Sequence, residues 1–178
     1  GTKLPSIYIL HGDLTDNEMN SLYNNTKVKA MVSFTKGEGF GRPLLEFTTT
    51  GKPVISPLHS GPADFLHPEY ISELPGGLTP IHPSAQNDFL IGDAKWFTPD
   101  YKYASKLFKE MVKHYNKFLS RSRKHIKHSN DNFSSLAVTK HYDELFKYID
   151  TKIGSVPMHQ PLNLPTLNKI ELPKLKTV

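Results

Sequence analysis

An α/β fold built on a doubly wound parallel sheet is the fold class this sequence predicts, and three observations predict it. Apolar and β-branched runs of strand length stand at Ser6–Leu10, Ala30–Val32 and Pro53–Ile55. Stretches with helix caps and helical periodicity alternate with them. A glycine-rich turn follows the second run and opens a helix, at the carboxyl ends of the strands where open α/β sheets place their ligand crevice.

Taken in order, Ser6–Leu10 (SIYIL) reads as a short buried strand. His11-Gly12-Asp13 turns out of it. Thr15 followed by Glu18 is a capping-box pattern, so a helix is expected to start there. It should end near Asn24-Asn25 with Met19, Leu22 and Tyr23 facing inward. Ala30-Met31-Val32 has the length of a buried parallel strand. Gly37, Gly39 and Gly41 then let the backbone bend and a ligand approach it closely. Pro43 suits the start of a helix over Arg42–Thr49, because its missing N–H has no partner to lose there. Gly51 is placed to end that helix, and Pro53-Val54-Ile55 begins the next strand.

Beyond it, His59-Ser60-Gly61-Pro62 reads as a turn and Ala63–Leu66 as a short helix with Ser60 as N-cap. Proline and glycine break regular structure from His67 to Pro83. Leu78–Ile81 fits an edge strand, where Pro80 is tolerated. Trp96, the only tryptophan, stands ahead of Pro99-Asp100 as a packing anchor, with Asp100 as the cap of the next helix. Asp100–Leu119 carries Ala104, Leu107, Phe108, Met111, Tyr115 and Phe118 at helical spacing. A further helix is expected from about Ser134, with Val138, Tyr142, Leu145, Phe146 and Ile149 as its stripe. Asp131 or Asn132 would cap it and Gly154 would stop it. Residues 1–153 are thus expected to form one domain, incomplete at its N-terminal side, and residues 154–178 a proline-rich extended arm or mobile end. Gly1 reads as a cut end.

Composition narrows the function classes. The 178 residues suffice for one domain with a sizeable core. No segment approaches the ~20 apolar residues of a membrane span, and no signal-peptide pattern opens the chain. The absence of cysteine rules out disulfides and thiolate metal sites and suits a reducing, cytoplasmic setting. The net charge of +5 is concentrated where Arg121, Arg123, Lys124 and Lys127 stand with His125 and His128. Such a patch fits a solvated helix face or helix junction, and is compatible with peripheral membrane association. No aromatic interleaving supports a nucleic-acid partner. The scattered histidines lack ligand spacing and there is no Asp-x-Asp pair, so no metal is implied.

The chemistry lies between Val28 and Leu66. Glu38 and Glu46 bracket the glycine loop and the first helical turns, with seven residues between them. A glycine loop feeding a helix start favours anions, since unpaired N–H groups and the helix dipole both attract negative charge. Glu38 can point into the cleft, and Glu46, one turn inside the helix, can accept hydrogen bonds from a diol. The plain alternative is two solvent-facing carboxylates flanking a tight turn. His11 and Gly12, with Lys36, Ser60 and Gly61, are candidates to line the same cleft.

The string GEGFGRPLLE, followed by GKPVI and HSGPADF, resembles the nucleotide-sugar-binding half of the GT-B-fold retaining glycosyltransferases of the large group 1 family. The resemblance is close over Ile7–Leu66, weaker to about Ile153 and absent beyond. Phe133-Ser134 echoes a family F-S-W segment, but Ser135 stands in place of the tryptophan. The resemblance implies a Rossmann-like doubly wound sheet with C-terminal helices and an extended tail. It also implies a nucleoside-diphosphate sugar as donor, no cofactor, and sugar transfer with retention to an unspecified acceptor. Glu38 would be the catalytic carboxylate, binding donor-sugar hydroxyls near the reacting carbon. Gly39, Phe40, Gly41, Arg42, Pro43 and Leu44 would complete the donor site, and Glu46 would accept from the ribose hydroxyls.

Arg42 departs from the family's usual leucine. The family's G-R-x-x-x-x-K-G-type segment, which supplies cations for the diphosphate, does not stand before Ser6. The chain is therefore expected to be a C-terminal piece of a larger enzyme, inactive alone, with the acceptor-binding N-terminal domain of the same polypeptide as its partner. Two other classes stay open. One is a same-fold sugar-nucleotide epimerase or phosphorylase-like enzyme; the other is a non-catalytic module binding through the basic segment. Paired carboxylates also suggest a glycosidase, but the phosphate-binding context argues against it.

Overall fold

The computed structural model describes residues 5–153. Gly1, the Gly154 stop and the proline-rich 155–178 segment lie outside the described residues. Contacts divide the chain into a unit up to Val138 and a second from Thr139 onward.

The first helix, α1 (Asp16–Asn24), forms where its caps place it. The Thr15 hydroxyl accepts from the Glu18 N–H at 3.3 Å, and the Glu18 carboxylate accepts from the Thr15 N–H at 2.8 Å. The Thr15 N–H, and next the Thr15 hydroxyl that also donates to the carboxylate at 2.8 Å, hold the Glu18 carboxyl below its usual pKa. Lys52 Nζ donates to the carbonyls of Tyr23 (2.6 Å) and Asn25 (2.7 Å), bringing a cation to the negative end of α1.

Three short strands, β1 (Met31–Val32), β2 (Val54–Ser56) and β3 (Ser72–Glu73), form a parallel sheet in that order, with Met31 opposite Val54 and Ile55 opposite Ser72. β2 is central and wholly buried. Because side chains alternate across a strand, Val54 and Ile55 feed opposite faces. Val54 packs with Leu44 and Phe47 of α2 (Arg42–Thr48) and with Phe65, Leu66 and Ile71. Ile55 packs with Leu74 and with Ala104 and Met111 of α3 (Tyr101–Lys113). Helices thus cover both faces of a small parallel sheet, and the fold is α/β. No described helix is long and apolar enough to cross a membrane.

Several expectations are corrected. Ser6–Leu10 is not a buried strand: it has no regular structure, and Ile7, Tyr8 and Ile9 are 87%, 89% and 89% exposed. β-branched composition says that a segment fits a pleated surface, not that an edge is there to receive it. β1 is likewise an edge strand with Val32 exposed, rather than a buried one. The Leu78–Ile81 strand starts two residues earlier and ends one earlier, as β4 (Gly76–Pro80). It pairs antiparallel with β5 (Lys95–Pro99), which carries Trp96, half-buried rather than in the core.

The helix expected over Asp100–Leu119 starts under its Asp100 cap but breaks at His114, whose φ of −124° departs from helical values. The chain then re-enters a helix as α4 (Tyr115–Phe133), so the basic cluster lies inside a helix and not at a junction. The last described helix, α5 (Ser135–Ile153), is capped by Ser134, whose hydroxyl accepts from the Ala137 N–H at 3.2 Å. Asp131 and Asn132 are internal to α4, where Asp131 pairs with Lys127 one turn back. The stripe of α5 is largely exposed: Tyr142, Leu145 and Phe146 face solvent, and Tyr142 stacks on Phe146 with centroids 6.4 Å apart.

Candidate functional site

Gly41 sets the turn between the loop and α2. Its φ of +90° lies in the left-handed region that side chains resist, and it is the N-cap residue. Leu44 and Leu45 both return their N–H groups to the Gly41 carbonyl, at 2.9 and 3.3 Å. Pro43, the second helical residue, has no N–H. Arg42 keeps the N–H that helix geometry leaves without an intrahelical partner. The Leu44 side chain is buried in the core, so its place in the loop is one of packing. Gly37 and Gly39 have ordinary φ and open space around them; they do not need to be glycine for the backbone's sake.

At the Glu38 end the backbone is held from across the cleft. The Glu38 N–H donates to Ser60 Oγ at 2.9 Å, and the Gly61 N–H donates to the Glu38 carbonyl at 3.1 Å. Ser60 was expected to cap the next helix. It does not: its φ of +53° turns the hydroxyl toward Glu38, and the following Gly61–Asp64 turn is 3₁₀ without a side-chain cap. Gly61 is where a glycine is required, because an added Cβ would strike the Phe40 Cα and lie 2.5 Å from the Gly39 carbonyl oxygen. Phe40, itself exposed, rests on Phe65 with centroids 5.1 Å apart. The Glu38 side chain is exposed.

The β4–β5 hairpin borders this end. The Phe97 N–H donates to the Lys36 carbonyl at 3.0 Å. The Lys36 ammonium stands 4.3 Å from the Trp96 ring centroid, a cation–π distance. His59 stacks on Phe97 at 4.9 Å and 21°.

At the Glu46 end the contacts are between side chains. Arg42 Nε donates to Glu46 Oε1 at 2.5 Å. Glu46 lines a cavity of about 470 Å³ between α1 and α2, with Asp16, Asn20, Tyr23, Arg42 and Thr50. Burial, and secondarily the Glu46 carboxylate, holds the Tyr23 hydroxyl above its usual pKa, so the ring keeps its proton. Such a cavity can take a flat aromatic group against Tyr23 and a pair of hydroxyls on Glu46. Glu38 is not among its lining residues. Sequence reasoning did not single out Asp16, Asn20 and Tyr23 here, although Asp16, Met19, Asn20 and Tyr23 recur at helical spacing beside a capping box.

A second feature that sequence reasoning missed supports α2 from behind. His67 N–H donates to His125 Nε2 (3.2 Å), His125 Nδ1 meets Ser129 Oγ (2.9 Å), Ser129 Oγ meets Thr48 Oγ1 (2.6 Å), and the Thr48 hydroxyl donates to the Leu45 carbonyl (2.6 Å). The two backbone ends fix every proton between them. Thr48 spends its hydrogen on Leu45, so Ser129 donates to Thr48 and His125 donates from Nδ1. His125 is therefore neutral. Burial, with His128 and His67 nearby, lowers its pKa to about 4. In the basic cluster Arg123, Lys124 and Lys127 are exposed, but Arg121 is half-buried, with one Nη on Ser72 Oγ at 2.5 Å, and His125 is buried.

Of the remaining candidates, Ser60, Gly61 and Lys36 are brought to the loop, whereas His11 and Gly12 lie in an exposed stretch with no hydrogen bond to it. Among the described residues no group of three or more His, Asp or Glu side chains is arranged to hold a metal. No protein-family model, no curated protein and no solved structure matches this chain.

Proposed function

We propose that this chain is the donor-binding part of a retaining glycosyltransferase that uses a nucleoside-diphosphate sugar. The observation that carries the reading is the pair Glu38 and Glu46 on either side of the Gly41 pivot, one in the loop and the other in α2, with Glu46 lining a cavity shaped by α1 and α2. In this reading the helices on both faces of the sheet belong to a doubly wound, Rossmann-like fold of the GT-B kind. The open edge of β1 and the exposed Ile7–Leu10 run are where further strands of the same sheet would pair.

The nucleoside occupies the cavity, with its ribose hydroxyls donating to Glu46 and its base beside Tyr23. The diphosphate lies toward the start of α2, where the Arg42 N–H and the helix dipole favour negative charge. The sugar reaches Glu38, whose exposed carboxylate accepts from its hydroxyls. The anomeric C–O bond breaks with its electron pair leaving on the diphosphate. The acceptor hydroxyl forms the new C–O bond on the same face and passes its proton to the departing phosphate oxygen. No metal enters this scheme.

Titration of the full chain with UDP-, GDP- and ADP-sugars and with the bare diphosphates tests the reading. Glu46→Ala is expected to weaken both kinds of ligand by about tenfold, the scale of losing hydrogen bonds to a charged group. Glu38→Ala should weaken the sugar conjugate more than the diphosphate. Equal binding of conjugate and diphosphate, untouched by either substitution, would sink the assignment.

A further inference from the structure

The sugar-donor reading leaves open which side chain of this chain meets the diphosphate, and the obvious candidate is already engaged. Two cations stand beside the loop, Lys36 and Arg42. Arg42 is spent on Glu46 at 2.5 Å. The ion pairs among the described residues join positions four apart on helices, and Lys36 is in none of them. Its ammonium rests instead over the face of Trp96 at 4.3 Å, and its carbonyl is fixed by the Phe97 N–H at 3.0 Å.

An aromatic face holds an ammonium without neutralising it, because the ring carries a quadrupole and no net charge. The long, rotatable stem then keeps a full positive charge near one place with all three donors available to a ligand. That place is two residues before Glu38, on the strand-to-loop path that leads to Gly41. The hairpin that supplies Trp96 is itself anchored to the second loop of the site through the His59–Phe97 stack. One hairpin thus holds Lys36 at its ammonium and its carbonyl and touches the second loop through His59.

Resting on the sugar-donor reading, we propose that Lys36 is the residue of this chain that binds the diphosphate of the donor, and that Trp96 is a positioning residue for it. The β4–β5 hairpin thereby becomes part of the donor site, and its distance in sequence hides the connection.

Calorimetric titration of the full chain with UDP, GDP and ADP, each against its own nucleoside, tests this. Lys36→Met is expected to lose about tenfold or more in affinity for the diphosphate, as for a charge-assisted hydrogen bond, and nothing for the nucleoside. Raising the salt concentration should weaken the parent chain more than the Lys36→Met variant. Trp96→Leu should lose part of the diphosphate affinity and Trp96→Phe should restore it, a pattern that a merely structural tryptophan would not produce. Diphosphate binding that Lys36→Met leaves intact, or an equal loss on diphosphate and nucleoside, overturns the proposal while the sugar-donor reading stands. A parent chain that binds none of the three diphosphates overturns both.

Discussion

The two ends of the loop between Glu38 and Glu46 are built on different principles. At the Glu38 end the backbone is fixed and the side chain is left free. Ser60 and Gly61 grip the Glu38 peptide groups at 2.9 and 3.1 Å, while the carboxylate points to solvent. At the Glu46 end the helix sets the backbone and the side chain is engaged, by Arg42 and by a cavity wall drawn from α1. In the proposed donor reading, a carboxylate that meets the sugar has a fixed root and a free tip, and one that would hold a ribose has a fixed tip. The contrast also divides the substitutions that matter: glycine and serine backbone positions at one end, side-chain chemistry at the other.

The largest expected effect is at the Glu38 end. Gly61→Ala forces a Cβ against the Phe40 Cα and the Gly39 carbonyl, all backbone atoms that no side-chain rotation relieves. Overpacking of this kind costs about 1–3 kcal/mol, and the loop must open to accommodate it. Gly39→Ala meets nothing within 4 Å, and an open surface position of this sort should stay within about 0.5 kcal/mol of the parent. Urea unfolding of the two variants side by side checks the difference. Equal midpoints would show that the grip on Glu38 is not made by close backbone approach.

That result bears on how much of the site could be read from sequence. The loop, α1 and α2 were legible because their signals are local: Thr15 and Glu18 within one turn, and Gly41 before Arg42-Pro43. The grip on Glu38 was not, since Ser60 looked like an ordinary cap and only its φ of +53° redirects the hydroxyl. β5 was hidden for a similar reason. Its partner β4 begins with two glycines, and the fourteen residues between the strands, 81–94, are too many for a two-residue hairpin signal to link them. The break at His114 leaves no mark in the apolar stripe, which continues through Met111, Tyr115 and Phe118 in phase. Ser6–Leu10 shows the opposite error, a strong local preference without a partner edge. For Ser60 and β5 a contact between residues far apart in sequence decided the outcome, and for Ser6–Leu10 the lack of one did.

An intermediate effect should come from the relay behind α2, which serves the Glu46 end. Neutral His125 must keep Nε2 free to accept from His67. Its pKa is about 4 in the fold and ~6.5 in an unfolded chain. The unfolded state therefore binds more protons between those values, so stability falls as pH drops from about 6.5 toward 4. Above that window the contribution is fully present, and below it the loss is complete. Parallel denaturant titrations of the parent and His125→Gln across this range should show a steeper fall in the parent by about one proton. His67 and His128, which face His125, are present in both chains. Parallel pH profiles would mean that His125 takes up a proton as readily in the fold as in the unfolded chain, and that the relay does not hold it neutral.

The smallest expected effect separates the two ends most cleanly. Arg42→Leu removes an ion pair whose side chains are 75% and 38% exposed, at i and i+4 on a short helix. The order is the weaker one, with the cation N-terminal to the carboxylate. The cation also sits where the helix dipole is positive, which opposes it. Exposed pairs of this kind contribute little, so the melting temperature should not move. Nucleotide binding should respond in the other direction. With Arg42 gone, Glu46 has no competitor for its oxygen, and ribose hydroxyls need displace nothing. UDP, GDP or ADP should then bind as tightly as before or a few times more tightly, with Glu38-dependent discrimination between sugar conjugate and diphosphate unchanged. A lost affinity would instead place Arg42 among the groups that hold the diphosphate, beside Lys36. The pairing with Glu46 would then be a resting position that the ligand breaks, and the two ends of the loop would share one anion rather than divide the donor between them.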